Sequence, residues 1–162
     1  MPSSTYAIAI GSNRRHHRHG GPERVVAAAT AALGELGTVR ACSLVIRTAA
    51  LGPAGRGFAN AVAILETGLT PPALLARLKR LERALGRRPG RRWGARVLDL
   101  DIILWSGGAW SAAGLTIPHL EFRKRSFVLR PLKQVAPAWR DPLTGRTVRQ
   151  LAHAVDRRAP RA

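Results

Sequence analysis

The spacing of hydrophobic residues divides the chain into strand-like and helix-like segments. Short apolar runs bounded by turn residues predict four strands, at residues 5–10, 39–47, 58–67 and 97–105. Apolar residues at helical spacing predict a first helix that opens at Pro22 and ends at Gly37. A second helix, with leucines on one side and arginines on the other, begins after Thr70 and ends at Gly86.

These elements follow the order β-α-β-β-α-β, which is typical of ferredoxin-like folds. We therefore predict an α+β fold in which both helices cover one face of a four-stranded antiparallel sheet. Additional short helices are expected in the C-terminal part. The length of 162 residues indicates a single domain over residues 1–162, with residues 157–162 as a loose tail.

The predicted topology brings five segments to one edge of the sheet. The first and second strands end there, the third and fourth begin there, and the second helix finishes nearby. The segments are residues 11–13, 48–57, 58–60 and 87–96, and the start of the last strand at Asp99. We expect a composite functional site where they meet.

Two carboxylates stand two residues apart at the start of the fourth strand. Because side chains alternate along a strand, Asp99 and Asp101 share one face. Two like charges on a mostly apolar strand cost on the order of several kcal/mol per ion unless a cation lies between them. Two sources of that charge stay open: Mg²⁺, which combines few carboxylates with water and phosphate oxygens, or local arginines.

An arginine-rich loop directly precedes the acidic pair. Its five arginines are Arg87, Arg88, Arg91, Arg92 and Arg96. Guanidinium groups bind phosphate oxygens through paired hydrogen bonds, so the loop and the carboxylates together favour a site for phosphates and magnesium. A solvated basic loop is the alternative interpretation, because the chain contains 24 arginines.

A further candidate lies downstream, where His119 and Arg125 offer phosphate contacts and Phe127 offers a ring for stacking. Purely structural roles are the alternative for these three residues. No role is assigned to the histidines of the polar loop, which are His16, His17 and His19. Walker A, Gly-x-Gly-x-x-Gly and Gly-x-Ser-x-Gly patterns are absent from the sequence, so it offers no candidate for covalent catalysis.

The charge balance widens the choice of function. A net charge of +18 and a pI near 12.0 favour polyanionic partners, which makes RNA binding the main alternative to an enzyme. The predicted central strands lack the stacking aromatics of RNA-reading sheets, apart from Tyr6. A structural adaptor would leave the acidic pair unexplained. The single cysteine, Cys42, and the lack of an apolar run of about 18 residues predict a cytoplasmic protein that does not enter a membrane.

Several stretches, spread over most of the chain, match one known family in order. They are Ala9–Asn13, Arg47–Thr48, Leu51–Pro53, Phe58–Ala61, Arg92–Ile102, Ile117–His119, Arg125, and Phe127–Leu132. Together they resemble the 6-hydroxymethyl-7,8-dihydropterin pyrophosphokinases of folate biosynthesis. The resemblance implies a ferredoxin-like enzyme that transfers pyrophosphate from ATP to the pterin hydroxymethyl group and releases AMP.

The resemblance also implies roles for individual residues. The catalytic set would be Arg87, Arg96, Asp99 and Asp101. Asp99 and Asp101 would hold two Mg²⁺ ions between the ATP phosphates and the pterin hydroxymethyl group. ATP would be bound by Glu82, Arg87, Arg92, Arg96, Ile102, Thr116, His119 and Arg125. The pterin would be bound by Thr48, Leu51, Phe58, Asn60, Trp93, Asp99 and Phe127.

Three departures from the family pattern limit this transfer of roles. Phe58 stands where many members carry tyrosine, and Ala49–Ala50 replace a common Pro-Pro pair. The basic loop is shortened, so the role of Arg88 is not assigned. A proton-accepting role for Asp99 is a hypothesis, and we expect a monomer with small-molecule substrates and no nucleic-acid partner.

Overall fold

The structure is a computed structural model that describes residues 3–12, 21–48, 58–86 and 98–158. Its strands are β1 (Ser4–Ser12), β2 (Thr38–Cys42), β3 (Ile46–Thr48), β4 (Phe58–Thr67), β5 (Asp99–Trp105), β6 (Trp110–Ala112) and β7 (Leu115–Ile117). Its helices are α1 (Pro22–Leu33), α2 (Pro71–Gly86), α3 (Ser126–Val135) and α4 (Val148–Arg158), with a 3₁₀ turn at Phe122–Lys124.

An antiparallel sheet forms the centre of the molecule. Its strands lie in the order β2-β4-β1-β5, and β3 continues the β2 side by pairing with β4. Gly11 pairs with both Asn60 and Asp99, and Thr48 pairs with Phe58, so the strand ends meet at one edge as predicted. The mixed α/β class with an antiparallel sheet is therefore confirmed.

Helices cover both faces of this sheet. The side chains of Ile8 and Ile10 pack with α1 and α2, while Ala7 and the intervening Ala9 pack in the core formed with α3 and α4. In a sheet buried on both faces, alternate residues of one strand contribute to different cores. The C-terminal helices expected from the sequence form the second covering layer.

The predicted strand at residues 39–47 is wrong as a single element. The chain leaves the sheet after Cys42 and returns at Ile46, which separates β2 from β3. Ser43 holds the junction, because its backbone N–H donates to the Val62 carbonyl at 2.9 Å and its hydroxyl accepts from the Val62 N–H at 2.9 Å. These hydrogen bonds replace strand pairing across the junction.

The predicted end of the first helix is also wrong. α1 ends at Leu33, and the residues before Gly37 form turns instead of a continued helix. A Cβ at Gly37 would lie 2.2 Å from the carbonyl oxygen of Glu66. Glycine is needed there because the backbone passes directly against β4 before it enters β2.

Two further details differ from the sequence expectations. The β6–β7 hairpin, in which Trp110 pairs with Ile117, was not predicted, because three-residue strands carry little periodicity. Arg157 and Arg158 belong to α4, and residues 159–162 of the predicted loose tail lie outside the described residues. Across the described segments, no helix combines the length and apolarity needed to span a bilayer.

Candidate functional site

A cleft opens at the sheet edge where β1 ends and β4 and β5 begin. It has a volume of about 580 Å³, which is within the usual range of small-molecule sites. The residues that line it are Gly11, Ser12, Thr48, Phe58, Asn60, Asp99, Arg125 and Phe127. Six of these were predicted as individual site residues, whereas Gly11 and Ser12 were predicted only as part of the segment 11–13 that reaches this edge and of the family pattern.

The acidic pair occupies the start of β5. Asp99 lies opposite Gly11 and Asp101 opposite Ala9, so both carboxylates lie on the face of the sheet that α3 and α4 cover. Both are partly buried. The predicted alternation along the strand is therefore present at these positions, and Leu100 between them faces the opposite core.

Electrostatics make this corner unfavourable for two ionised carboxylates. Burial raises the pKa of Asp101, and the adjacent charge of Asp99 raises it further. The charges of His119, Arg125 and Lys79 oppose that rise without cancelling it. The described basic residues therefore only partly offset the rise at Asp101, and the arginines of residues 87–96 lie outside the described residues.

The donor set suits a hard cation that brings other oxygen ligands with it. Among the described residues, no group of three or more acidic, histidine or cysteine side chains converges to enclose a metal. Mg²⁺ binds through one or two carboxylates and completes its octahedron with water and substrate phosphates. Asp99 and Asp101 fit that requirement as two neighbouring carboxylates on one face of β5.

Glu82 is a third acidic group near this corner. It extends from α2, is only 3% exposed, and lies 3.3 Å from the ammonium nitrogen of Lys79. Neither carboxylate oxygen has a well-aligned hydrogen bond within the described residues. Burial raises the pKa of Glu82; Lys79 opposes the rise and Asp99 adds to it. Lys79 was missed by the sequence reasoning, although its i, i+3 spacing from Glu82 is visible there.

His119 and Arg125 flank the 3₁₀ turn before α3. The His119 N–H donates to the Ile103 carbonyl at 3.0 Å, and the Nδ1 atom of His119 accepts from the Glu121 N–H at 3.1 Å. A neutral His119 therefore carries its proton on Nε2. The Arg125 guanidinium lies 5.7 Å from the centre of the Phe127 ring, so the two side chains meet in the cleft.

The opposite side of the cleft combines an aromatic ring with an amide. Phe58 is 40% exposed, and Asn60 is buried with its Nδ2 3.4 Å from the Thr48 hydroxyl. A Cβ at Gly11 would lie 3.2 Å from Asn60 Oδ1, so glycine leaves room for the amide. An exposed ring and an oriented amide in one cleft are suited to a flat, polar-edged heterocycle.

The remaining predicted site residues either lie outside the lining of the cleft or fall outside the described residues. Ile102 is buried in the core with α1 and α2, and Thr116 is exposed on β7. Asp101, Glu82 and His119 do not line the cleft itself. The predictions for Leu51, Arg87, Arg92, Trp93 and Arg96 fall outside the described residues, as do Arg88 and Arg91 of the basic loop, to which no individual role was assigned.

Comparisons with known proteins agree on one family. The family model described as 7,8-dihydro-6-hydroxymethylpterin-pyrophosphokinase (HPPK) matches residues 7–137. A Haemophilus influenzae protein named 2-amino-4-hydroxy-6-hydroxymethyldihydropteridine pyrophosphokinase is 38% identical over 135 residues, covering 82% of this chain and 81% of that protein. A Synechocystis protein of the same name is 42% identical over 118 residues, covering 73% of this chain and 60% of that protein.

Solved structures show the same fold at low sequence identity. A crystal structure of an HPPK-DHPS in complex with substrates superposes with a TM-score of 0.71 at 12% identity, covering 94% of this chain and 43% of that chain. A Plasmodium falciparum HPPK-DHPS structure gives a TM-score of 0.69 at 13% identity, covering 94% and 45%. This chain thus spans less than half of those solved chains and 60% of the Synechocystis relative. On the family model and the H. influenzae relative, the chain belongs to the 7,8-dihydro-6-hydroxymethylpterin-pyrophosphokinase family.

Proposed function

We propose that this protein transfers pyrophosphate from ATP to the hydroxymethyl group of 6-hydroxymethyl-7,8-dihydropterin in folate biosynthesis, with AMP as the second product. One observation carries the proposal: in a chain of this family, Asp99 of the acidic pair lines a cleft that also contains an amide and two phenylalanine rings. Such a site can place an acceptor heterocycle beside a metal-bound polyphosphate.

The pterin would occupy the aromatic end of the cleft. Phe58 and Phe127 would stack on the two faces of its ring, and Asn60 with Thr48 would meet its polar edge. Asp99 lies in the same cleft, which brings the hydroxymethyl group to the acidic pair. Leu51 and Trp93 complete the set that the family resemblance implies.

Asp99 and Asp101 would hold two Mg²⁺ ions, which supply positive charge to the phosphates and to the acceptor oxygen when bound. His119 and Arg125 would contact the triphosphate from the turn before α3, together with Arg87, Arg92 and Arg96 from the basic loop. Glu82 and Thr116 would lie nearer the nucleoside. Because the Ile102 side chain is in the core, Ile102 would contribute through its backbone.

The reaction needs alignment and charge neutralisation, with no nucleophile from the protein. The pterin hydroxyl oxygen bonds to the β-phosphorus, and the bond from that phosphorus to the α,β-bridging oxygen breaks in line. The hydroxyl proton is lost, and the departing oxygen remains on AMP. The basic groups stabilise the charge that develops on the transferred phosphates, and Asp99 is our candidate for accepting the proton.

We also propose a ferredoxin-like arrangement, a cytoplasmic location and a monomeric state for this protein. A ferredoxin-like arrangement is supported by the strand order β2-β4-β1-β5 together with α1 and α2 on one face. The exposed thiol of Cys42 suits a reducing cytoplasm. We propose a monomer whose partners are its small-molecule substrates.

Product analysis tests the proposed reaction. The protein is mixed with Mg²⁺, ATP and 6-hydroxymethyl-7,8-dihydropterin, and the nucleotides are separated by chromatography, with a parallel sample lacking the pterin. We expect AMP and the pterin pyrophosphate in equal amounts, only when the pterin is present. ADP would instead show ordinary kinase chemistry. Salt-sensitive binding of mixed RNA without turnover would support the RNA-binding alternative.

A further inference from the structure

A fully buried carboxylate lies outside the cleft, in the turn that precedes α4. Asp141 is 0% exposed and accepts four hydrogen bonds. Its Oδ1 accepts from Arg123 Nη2 at 2.8 Å and from the Leu143 N–H at 3.0 Å. Its Oδ2 accepts from Arg123 Nε at 2.5 Å and from the Thr144 hydroxyl at 2.8 Å. A carboxylate with this many donors is held in one orientation.

Backbone hydrogen bonds stabilise the turn that carries Asp141. The Asp141 N–H donates to the Arg146 carbonyl at 2.8 Å, and the Asp141 carbonyl accepts from the Gly145 N–H at 2.8 Å. The Val148 N–H closes the turn by donating to the Trp139 carbonyl at 2.9 Å. This turn is thus a rigid anchor, and it lies beyond the residues that the family model matches.

Arg123 connects the anchor to the 3₁₀ turn. Its guanidinium lies 4.8 Å from the centre of the Phe122 ring, which is completely buried, before it reaches Asp141. The bidentate pair and the ring contact fix both the side chain and the backbone of Arg123. The two candidate phosphate ligands flank this residue: His119 precedes the 3₁₀ turn and Arg125 follows it.

We infer that Asp141 is a positioning residue for the nucleotide, acting through Arg123 to hold the segment that bears His119 and Arg125. The inference rests on the proposed function. Asp141 touches no substrate in this scheme, and its effect is transmitted by the backbone of residues 119–125. Most of the pterin end is held by different elements, since Thr48 lies on β3 and Phe58 and Asn60 lie on β4, while Phe127 is held by α3, whose Val128 and Leu129 are buried in the core. Nucleotide and pterin affinities should therefore respond differently when Asp141 is changed.

Calorimetric binding of Mg²⁺ with α,β-methylene-ATP tests this inference, because the analogue cannot undergo the proposed cleavage. We expect Asp141→Asn to weaken its binding roughly tenfold to a hundredfold, the range that small misplacements of binding groups produce. Pterin affinity, measured with the analogue saturating, should change less than about twofold. Arg123→Met should weaken the nucleotide as much as Asp141→Asn, and the double variant should be no worse than either single variant.

Thr144→Val is the matched control. It removes one hydrogen bond from the same carboxylate but leaves the Arg123 pair intact, so it should lower the melting temperature without changing nucleotide affinity. Unchanged nucleotide binding in Asp141→Asn would overturn the inference, as would an equal loss in Thr144→Val or an equal loss of pterin affinity.

Measurements on the wild-type protein distinguish the proposed reaction from the proposed positioning role of Asp141. Nucleotide binding with no AMP formation would reject the proposed reaction while leaving the positioning inference open to the variant measurements. AMP formation with unaltered nucleotide binding in Asp141→Asn would reject the inference alone. If wild type binds no Mg²⁺–analogue complex, both are rejected.

Discussion

Buried carboxylates occur in two regions of this protein under opposite conditions. Asp141 accepts four hydrogen bonds, and although burial raises its pKa, the donors Arg123, Leu143 and Thr144 hold the pKa at about 2. Near the cleft, but not in its lining, burial raises the pKa of Asp101 and of Glu82. Four hydrogen-bond donors offset the burial of Asp141, whereas burial outweighs the favourable contacts of Asp101 and Glu82.

The comparison separates a structural acid from acids that are suited to a ligand. A carboxylate satisfied within the chain stabilises the fold, so its pKa falls. Acidic side chains whose pKa is raised, such as Asp101 and Glu82, reduce stability when ionised, so a cation bound beside them would be favoured. The cleft is therefore where a cation or a cationic loop can bind most favourably.

The largest effect should follow removal of the cleft charges. We expect Asp99→Asn with Asp101→Asn to reduce AMP formation by at least about a thousandfold, since the groups proposed to hold both Mg²⁺ ions are lost. Circular dichroism should show an intact fold, because the substitutions relieve repulsion. Asp156→Asn, which breaks an exposed ion pair with Arg130 on the α3–α4 side, should retain full activity. If the double variant retained its activity, Asp99 and Asp101 would have no role in the reaction, and the acidic pair would not differ in function from Asp141.

Much of the cleft could be predicted because its determinants are local. Alternation along one strand is sufficient to place Asp99 and Asp101 on one face. The order of elements is sufficient to bring the ends of β1, β3, β4 and β5 together, as the pairing of Gly11 with Asn60 and Asp99 shows. Residue identity then made the family recognisable.

The anchor at Asp141 could not be predicted, because nothing local marks it. Arg123 and Asp141 are 18 residues apart, and in a chain with 24 arginines no spacing selects one partner. The break at Ser43 was hidden for a similar reason: the apolar pattern continues through residues 39–47, while the hydrogen bonds that end β2 come from Val62. Tertiary contacts decide both features.

The next effect concerns stability at the anchor. Asp141→Asn should cost about 3 kcal/mol near neutral pH, because it leaves the Arg123 charge without its buried partner. The folded pKa of about 2 lies below the ordinary aspartate value of 3.8, so this stabilisation is present above about pH 4 and lost as pH falls toward 2. Urea unfolding at several pH values should show that the difference in free energy of unfolding between wild type and variant falls by about 2 kcal/mol as the pH is lowered toward 2.

The control for this prediction is Asp156→Asn, since Asp156 and Arg130 are both substantially exposed. Its cost should stay below about 0.5 kcal/mol, as for most surface ion pairs. If the difference in free energy of unfolding between wild type and Asp141→Asn did not depend on pH, Asp141 would stabilise the fold through its shape and not through its charge.

The smallest effect should have the opposite sign. Glu82 is buried with a raised pKa, so its ionised form opposes folding above its unfolded pKa, and the penalty is absent below that value. Glu82→Gln should therefore stabilise the ligand-free protein by about 1 kcal/mol at pH 7 and make no difference near pH 3, measured by urea unfolding. The Lys79 ammonium is half exposed and tolerates the loss of its partner. If the variant is instead less stable at pH 7, the ionised Glu82 stabilises the fold as Asp141 does. The contrast between the two regions would then apply to Asp101 but not to Glu82.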